Sequence, residues 1–346
     1  MSLFRSRSEG VTSPHISVFC VIIMAAPAPA RRVLVAVGRD AADAARTLRW
    51  SAAHVARAGD RVSLVHVRAP EVLAAAATPV VEVAVPAATL PNAVWGADKA
   101  AADDVAAALK MLQAAASAVD AVELRSVLRV SDAILSYIRF LPAEEKADAL
   151  VMGSHGARYV GSALWKVPHA SLDIAAGNTA CAMFFLRGEP AELPPGTARF
   201  VALSLDGASP ASSLLTRWAI ANALRPVDTV IIVNKNAAAD PKVDDEIRRC
   251  EQLLSSYLTS GGGSVATYAV PPARDVRDQL VDLSETGLDA RVGPPELLVM
   301  GTRGESARSL KRLVLGSTAE YVVKTSACPL CVVPPLVETA GAVVLA

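Results

Sequence analysis

The stretch VLVAVGRDAADAARTLRW (residues 33–50) returns 168 positions later as VALSLDGASPASSLLTRW (201–218). A second pair, ALVMGSHG (149–156) and LLVMGTRG (297–304), is 148 positions apart, so the first copy holds 20 more residues than the second. We assign the additional residues to the alanine- and proline-rich stretch 69–96, a candidate lid or surface insertion. The chain is therefore read as two copies of one fold.

Each copy alternates short apolar or β-branched runs with segments whose apolar residues recur every three or four positions. That alternation predicts an α/β fold: two tandem doubly wound domains, each a five-stranded parallel sheet with helices on both faces. The predicted strands are 32–37, 61–67, 122–129, 148–153 and 181–186 in the first copy, and 200–205, 229–234, 264–270, 296–301 and 330–334 in the second. The predicted helices of the second copy are 209–224, 241–259, 275–286 and 317–326.

Domain boundaries follow from the repeat and from local composition. We place the first domain at 31–187 and the second at 199–335, joined by a proline- and glycine-rich linker at 188–198. An N-terminal extension, 1–30, is expected to be disordered, and 336–346 forms a C-terminal tail.

The extension raises the question of targeting. It carries two arginines and an apolar run, as a targeting peptide does, yet Met24 offers a second start directly before the first strand. We therefore favour a cytoplasmic protein over a targeted one. The longest apolar run, 16–30, is interrupted and falls short of the ~20 residues that a membrane-spanning helix needs.

The amino-acid composition disfavours some classes of binding partner. The 346 residues hold 34 Lys+Arg and 34 Asp+Glu, so no net charge attracts nucleic acid or an anionic membrane. Only 4% of residues are aromatic, which leaves little surface for base stacking. Five scattered cysteines do not resemble a disulfide framework, and a reducing compartment fits them. Small molecules or proteins remain as partners.

The second copy carries the candidate site. In doubly wound sheets, ligands bind outside the carboxyl ends of the strands, where the strand order reverses. There, Asp206 follows the first strand, Val233 lies near the end of the second, and Gly301 ends the fourth, while Gly316-Ser317 opens the last helix. Glycines let a backbone approach a ligand closely, and a helix N-terminus offers free N–H groups to phosphate. Together these features suit a nucleotide.

These residues resemble the universal stress protein family, whose nucleotide-binding members carry a Gly-two-Gly-nine-Gly-Ser/Thr motif after the fourth strand. The resemblance covers 31–187 and 199–335 and includes the opening strand, the helix ending in tryptophan, LLVMGTRG and GSTAEYVVKTSACPLCVV. It implies an adenine nucleotide alpha hydrolase-like fold and an ATP or AMP pocket in the second copy, with Mg²⁺ carried by the phosphates. The nucleotide-binding residues that it implies are Asp206, Val233, Met300, Gly301, Arg303, Gly304, Gly316, Ser317 and Thr318.

The sequence departs from the family motif in both copies. In the second copy, eleven residues rather than nine separate Gly304 from Gly316. In the first copy, Gly38 stands in the place of Asp206, and Pro168-His169 in the place of Gly316-Ser317. Proline has no N–H to offer a phosphate, so we expect the first copy not to bind nucleotide.

The same residues also have purely structural interpretations. Gly301 and Gly304 suit a turn after a buried strand, and Asp206 suits an Asx-turn. Ser317 with Glu320 three residues later forms a capping-box pattern, which would cap the helix without any ligand. The basic residues of the intervening loop suit a solvated surface; they are Arg303, Arg308, Lys311 and Arg312.

Other chemistry finds little support. Cys328-Pro329-Leu330-Cys331 is a Cys-x-x-Cys pattern, but its second cysteine falls inside the last strand rather than at a helix N-terminus, which favours a structural role. The five histidines have no metal-ligand spacing. P-loop, dinucleotide-binding and nucleophile-elbow motifs are absent.

Three functions remain. The first is an adenine-nucleotide-binding protein of stress response or signalling that is not an enzyme, beyond slow ATP hydrolysis at most. The second is a nucleotide-free interaction or scaffold module that acts as an internal pseudo-dimer. In it, strands 181–186 and 330–334 pair along an edge or bury against each other. Self-association or a protein partner at these strands is its variant. The third is a redox switch at Cys328 and Cys331.

Overall fold

The computed structural model describes the following residues: 31–37, 40–68, 81–85, 89, 91–92, 96, 98–116, 118–119, 122–126, 138, 140–153, 180–187, 193–194, 197–206, 210–234, 241–271, 273–288, 293–302, 316–339 and 342–345. The elements of the first copy are β1 (Arg32–Val37), α1 (Ala41–His54), β2 (Arg61–Arg68), β3 (Val81–Val85), α2 (Lys99–Ala115), β4 (Ala118–Val119), β5 (Val122–Ser126), β6 (Ala149–Met152) and β7 (Ala182–Phe185). Those of the second copy and beyond are β8 (Phe200–Ser204), α3 (Ala211–Asn222), β9 (Thr229–Asn234), α4 (Pro241–Thr259), β10 (Ser264–Ala269), α5 (Val276–Thr286), β11 (Leu297–Gly301), α6 (Ser317–Thr325), β12 (Leu330–Val333), β13 (Leu336–Thr339) and β14 (Ala342–Leu345).

The ten predicted strands and the four predicted helices of the second copy are all present. Five strands of each copy follow one order: β5-β2-β1-β6-β7 in the first and β10-β9-β8-β11-β12 in the second. Their pairings within each copy are parallel. The strand order therefore reverses between β1 and β6, and again between β8 and β11, as in a doubly wound sheet. The predicted fold class is confirmed.

Both faces of the sheet are buried. Leu297 and Val299 belong to one core cluster, whereas Leu298 and Met300, which alternate with them along β11, belong to a second cluster on the opposite face. Burial on both faces explains why the strands read as continuous apolar runs. Helices α1, α3 and α4 contribute residues to the first cluster, and α5 and α6 to the second.

Among the described residues, four short strands are additions to the repeated pattern. In the 69–96 stretch, β3 pairs antiparallel with β5 and forms one edge of the sheet. The two residues of β4 pair with β2. Beyond the second copy, where we expected a tail, β13 and β14 form an antiparallel hairpin, and Glu338 pairs with Arg217 of α3.

Within the described part of the chain, the two copies join edge to edge into one sheet of 12 strands. The joint is an antiparallel pair between their last strands, with Leu330 opposite Phe185 and Val332 opposite Met183. Of the two arrangements expected for 181–186 and 330–334, the structure has the edge pairing. Beside this seam, the Arg187 side chain of the first copy donates to the Val323 carbonyl of α6 (2.7 Å).

A second joint lies between the ends of α1 and α3. Arg31 and Arg199 occupy matching positions before β1 and β8, and each makes a two-pronged ion pair within its own copy. Arg31 binds Asp60 (3.0 and 2.5 Å), and Arg199 binds Asp228 (3.1 and 2.6 Å). We call this group, with Arg57 and Arg225, the arginine junction.

The arginine junction crosses between the copies with near two-fold symmetry. Nη1 of Arg31 donates to the Asn222 carbonyl at the end of α3 (2.9 Å), and Nη1 of Arg199 donates to the His54 carbonyl at the end of α1 (3.1 Å). Arg57 also donates to carbonyls at the end of α3. Because the last carbonyls of a helix lack partners within it and carry partial negative charge, the arginines satisfy both helix ends.

Burial makes the Arg199–Asp228 ion pair of the arginine junction important for the stability of the fold. The Arg199 and Asp228 side chains are both 0% exposed. Removing one partner of such a pair leaves an uncompensated buried charge and costs about 3–5 kcal/mol. The two copies are therefore held together by arginine-to-carbonyl hydrogen bonds at this joint and by the β7–β12 strand pairing at the other.

Candidate functional site

The candidate residues of the second copy converge at the carboxyl ends of three neighbouring strands. Ser204 at the end of β8 lies in register with Val233 of β9 on one side and with Met300 of β11 on the other. Asp206 follows two residues after Ser204, and Gly301 follows Met300. This edge lies where the strand order reverses, which is where a doubly wound sheet binds its ligand.

The segment after β8 is tied to β9. The Leu205 N–H donates to the Val233 carbonyl (3.1 Å), and the buried Asn234 amide donates to the Leu205 carbonyl (3.2 Å). The Ser212 hydroxyl, in the first turn of α3, donates to the Asp206 carboxylate (2.8 Å). These bonds hold Asp206 at the rim of the crevice between β8 and β11.

Val233 and Met300 form the floor of the crevice rather than its wall. Their side chains are 0% and 3% exposed and belong to the same core cluster. In this conformation, a ligand above the strand ends would meet their backbone. Gly301, beside Met300, is half-buried and pairs with Val333 of β12.

Gly316 is the N-cap residue of α6, with extended backbone angles (φ −61°, ψ 153°) and no side chain to cap the helix. Its N–H donates to the Thr302 carbonyl (2.7 Å), which holds the helix start against the end of β11. Ser317 and Thr318 are the first helical residues, and the N–H groups of a first turn have no acceptor within the helix. The helix start therefore offers donors and a partial positive charge.

The capping-box interpretation of Ser317 is wrong. That pattern requires Ser317 to precede the helix, whereas it is the first helical residue and is exposed. Glu320 instead pairs with Lys324 one turn later (2.7 Å). No side chain competes for the helix start through this pattern.

Sequence reasoning missed Thr302, which lies between the strand end and the helix start. Its side chain is buried, 7% exposed, and Oγ1 has no hydrogen-bond partner among the described residues. The sequence signal was a hydroxyl residue directly after the glycine of a buried strand. Arg303 and Gly304, together with the eleven-residue spacing up to Gly316, lie outside the described residues.

The crevice of the first copy differs in its chemistry. Gly153 matches Gly301, and α1 approaches it so closely that an added Cβ would lie 2.5 Å from Thr47 Oγ1 and 2.9 Å from Asp43 Oδ2. Asp43 is 4% exposed and pairs with Arg46 (2.6 Å). A buried, ion-paired carboxylate thus stands beside the end of β6, whereas the matching position of the second copy is Ala211. Gly38, Pro168 and His169 lie outside the described residues.

Cys328 and Cys331 belong to opposite faces of the sheet. Cys328 packs in the cluster that contains α6, and Cys331 in the cluster that contains α1. Burial raises the pKa of the Cys328 thiol from 9.0 to about 11 and that of Cys331 well above its usual range. Neither thiol is activated, because the reactive form is the thiolate.

Among the described residues, no group of three His, Cys, Asp or Glu side chains is placed to hold a metal ion. Of the helices in the described ranges, none combines the length and the apolar character needed to cross a bilayer.

Fold and crevice together define a class: tandem doubly wound α/β proteins with a glycine-capped helix start at the switch point of the second copy. The sequence profile of the universal stress protein family matches residues 29–167 and 290–334, more than half of the chain. The chain belongs to the universal stress protein family. The resemblance inferred from the sequence is confirmed.

The chain is also similar to several solved structures. The chain resembles a putative universal stress protein from Pseudomonas aeruginosa UCBPP-PA14 at 15% identity, covering 88% of this chain and 94% of that one (TM-score 0.47). It resembles a functionally unknown protein from Pseudomonas aeruginosa PAO1 at 14% identity, covering 88% and 93% (TM-score 0.44). The universal stress protein from Archaeoglobus fulgidus is 17% identical and covers 39% and 92% (TM-score 0.28). Among curated proteins, none matches significantly.

Proposed function

We propose that this chain binds an adenine nucleotide, ATP or AMP, at the second copy and acts in stress response or signalling in the cytoplasm. The observation that carries the proposal is the start of α6 beside the end of β11, where the N-cap residue Gly316 has no side chain to occupy the N–H groups of the first turn. A helix start with free N–H groups is a site that favours phosphate. Mg²⁺ would accompany the phosphates rather than bind a dedicated cluster of carboxylates. We propose binding rather than fast catalysis, because the one carboxylate among the candidate residues, that of Asp206, already accepts a hydrogen bond from Ser212 (2.8 Å).

We propose that the two copies are unequal in this function. The residues of the second copy expected at the nucleotide are Asp206, Val233, Met300, Gly301, Arg303, Gly304, Gly316, Ser317 and Thr318. In the first copy, proline replaces the glycine before the last helix, and proline has no N–H. The buried Asp43–Arg46 ion pair, which has no counterpart at Ala211, also stands beside the strand end of the first copy and makes its chemistry different.

Calorimetric titration tests both statements. We expect the wild-type chain to bind one ATP or AMP per chain. Gly316→Pro introduces the residue of the first copy at a φ that proline accepts, −61°, and removes the N–H that holds the helix start against the Thr302 carbonyl. It should weaken ATP binding by up to about 10-fold, because the hydrogen bond that positions the helix start contributes about 0.5–1.5 kcal/mol.

Gly316→Ala is the matched control, since it keeps the N–H and should bind ATP more tightly than Gly316→Pro. The absence of detectable ATP and AMP binding by the wild type would overturn the nucleotide proposal. Two nucleotides per chain would overturn the inequality of the copies.

One observation favours a second candidate function. The antiparallel β7–β12 pair makes the chain resemble two subunits fused into one, which suits a nucleotide-free interaction or scaffold module. The two candidates differ in the titration above, since a scaffold of this kind would retain its fold and its protein partners without nucleotide.

A further inference from the structure

Thr302 is held by its backbone on two sides while its side chain has no partner. Its N–H donates to the Val333 carbonyl of β12 (2.9 Å), and its carbonyl accepts from the Gly316 N–H (2.7 Å). The side chain is 7% exposed, and the hydroxyl oxygen is buried without a hydrogen bond to any described residue. The position of this hydroxyl is therefore fixed by the ends of β11 and α6.

The alternation of β11 places that hydroxyl on the face covered by α6. Leu298 and Met300 share a core cluster with Ala319 and Val322 of α6. Successive side chains of a strand point to opposite faces, and the bond to Val333 continues the ladder through Thr302. Thr302 therefore lies two residues beyond Met300 on the same face, against the first turn of α6.

A buried hydroxyl without a partner costs free energy, whereas valine has the same shape without that cost. The site thus retains a polar group that the apo fold does not use. The neighbouring helix start favours an anion through its free N–H groups and its partial positive charge. A hydroxyl can donate to an anionic oxygen, which matches the character of the helix start.

We propose that the Thr302 hydroxyl donates a hydrogen bond to a phosphate oxygen of the nucleotide at the start of α6. The inference rests on the proposed function, and it adds a side chain at one of the two positions between Gly301 and Gly304 that the motif leaves open. Because the Thr302 hydroxyl would bind the phosphate, it would raise the affinity for a nucleotide but not for the corresponding nucleoside. It binds ligand directly and has no catalytic step to perform.

The test compares Thr302→Val, Thr302→Ser and the wild type in titrations with ATP, AMP and adenosine, alongside thermal unfolding without ligand. Thr302→Val should weaken ATP and AMP binding about 10- to 100-fold and leave adenosine binding unchanged. The same variant should raise the melting temperature of the ligand-free chain by roughly 2 °C, because it removes an unpaired buried hydroxyl. Thr302→Ser retains the hydroxyl and should retain most of the ATP affinity.

Thr47→Val is the matched control. Thr47 is buried in the first copy, and its hydroxyl donates to the Asp43 carbonyl (2.8 Å). Loss of that partnered hydroxyl should not raise the melting temperature and should leave ATP affinity unchanged. The opposite signs of the two effects in Thr302→Val, greater stability with weaker binding, are not expected of a purely structural threonine.

The outcomes separate the two proposals. If the wild type binds no nucleotide, the proposed function fails, and this inference with it. If the wild type binds ATP and Thr302→Val binds it equally well, only the role of Thr302 is overturned. An equal loss for adenosine and ATP would move the contact to the nucleoside and overturn the assignment to phosphate.

Discussion

His54 lies beside the arginine junction, and the pKa of its imidazole departs strongly from the ordinary value. It ends α1, is 4% exposed, and stacks on Trp50 with 4.8 Å between the ring centroids. Neither ring nitrogen has a partner among the described residues, and Arg199 and Arg225 lie near enough to repel a proton. Burial first, and these arginines second, lower the pKa of His54 from 6.5 to about 3.

This lowered pKa predicts a loss of stability in acid. Between pH 6.5 and 3 the unfolded chain binds one more proton at His54 than the folded chain does. The contribution of His54 is therefore complete above pH 6.5 and is lost as the pH falls toward 3, by up to about 1.4 kcal/mol per pH unit. His54→Asn, which introduces the residue of the matching position Asn222, should remove this dependence.

Urea unfolding at pH 7.5 and pH 5 measures the difference. Over that interval the free energy of unfolding of the wild type should fall about 2 kcal/mol further than that of His54→Asn. Equal falls in the two proteins would show that His54 titrates normally in the folded chain.

Some residues of the candidate site could be predicted from the sequence, and others could not. Asp206, Gly301 and Gly316 could be placed because strand ends and helix starts follow from local patterns. The roles of Thr302 and Asp43 could not, because each depends on what another element brings against it. Whether a hydroxyl is buried or a carboxylate faces a strand end is a property of packing between α6 and β11, or between α1 and β6.

At the scale of elements, the start of β12 separates the two cysteines of the Cys-x-x-Cys pattern. Because Cys328 precedes the strand and Cys331 lies inside it, their side chains enter opposite core clusters. We expect both thiols to resist a thiol reagent in the native chain at pH 7 and to react once the chain is denatured. Oxidation should form no bond between them.

Mass mapping of labelled peptides reads this result residue by residue. Cys250 serves as an internal comparison, because it is buried too and its pKa is raised by burial. Fast labelling of native Cys328, or a disulfide between Cys328 and Cys331 under mild oxidation, would favour the redox switch instead.

The elements that sequence reasoning missed share one cause. The ten repeated strands were predictable because each is a continuous apolar run, and the repeat doubled every signal. In contrast, β3 forms through antiparallel pairing with β5, and β13 forms through pairing with β14 beside α3. Short strands outside the repeat are stabilised by partners distant from their own sequence pattern, so local propensity does not reveal them.

At the scale of the whole molecule, the two joints make the repeat one structural unit. The β7–β12 ladder continues the sheet across both copies, and the arginine junction fastens the ends of α1 and α3. The junction could not be read from the sequence. Arg31 and Arg199 match at the repeat offset, but only the fold shows that each reaches the helix end of the other copy.

This arrangement predicts a monomer. The last strand of each copy is already paired inside the sheet, so the described edges of the sheet are β3 and β10. An association through β7 or β12 would require the internal ladder to break, with the loss of buried apolar strands that are 0–3% exposed. We expect sedimentation of the intact chain to give a mass of 35.9 kDa that does not change with protein concentration.

A concentration-dependent dimer would contradict this prediction. The variant Ala266→Lys would then show whether the dimer forms through β10. Ala266 is exposed on the edge strand β10, and a lysine on a strand edge disfavours edge-to-edge pairing. A dimer that dissociates in Ala266→Lys would be formed through β10. A dimer that persists in Ala266→Lys would show that the chain associates elsewhere. If the wild type is monomeric at every concentration, the internal seam has replaced the contact that two separate copies would have formed.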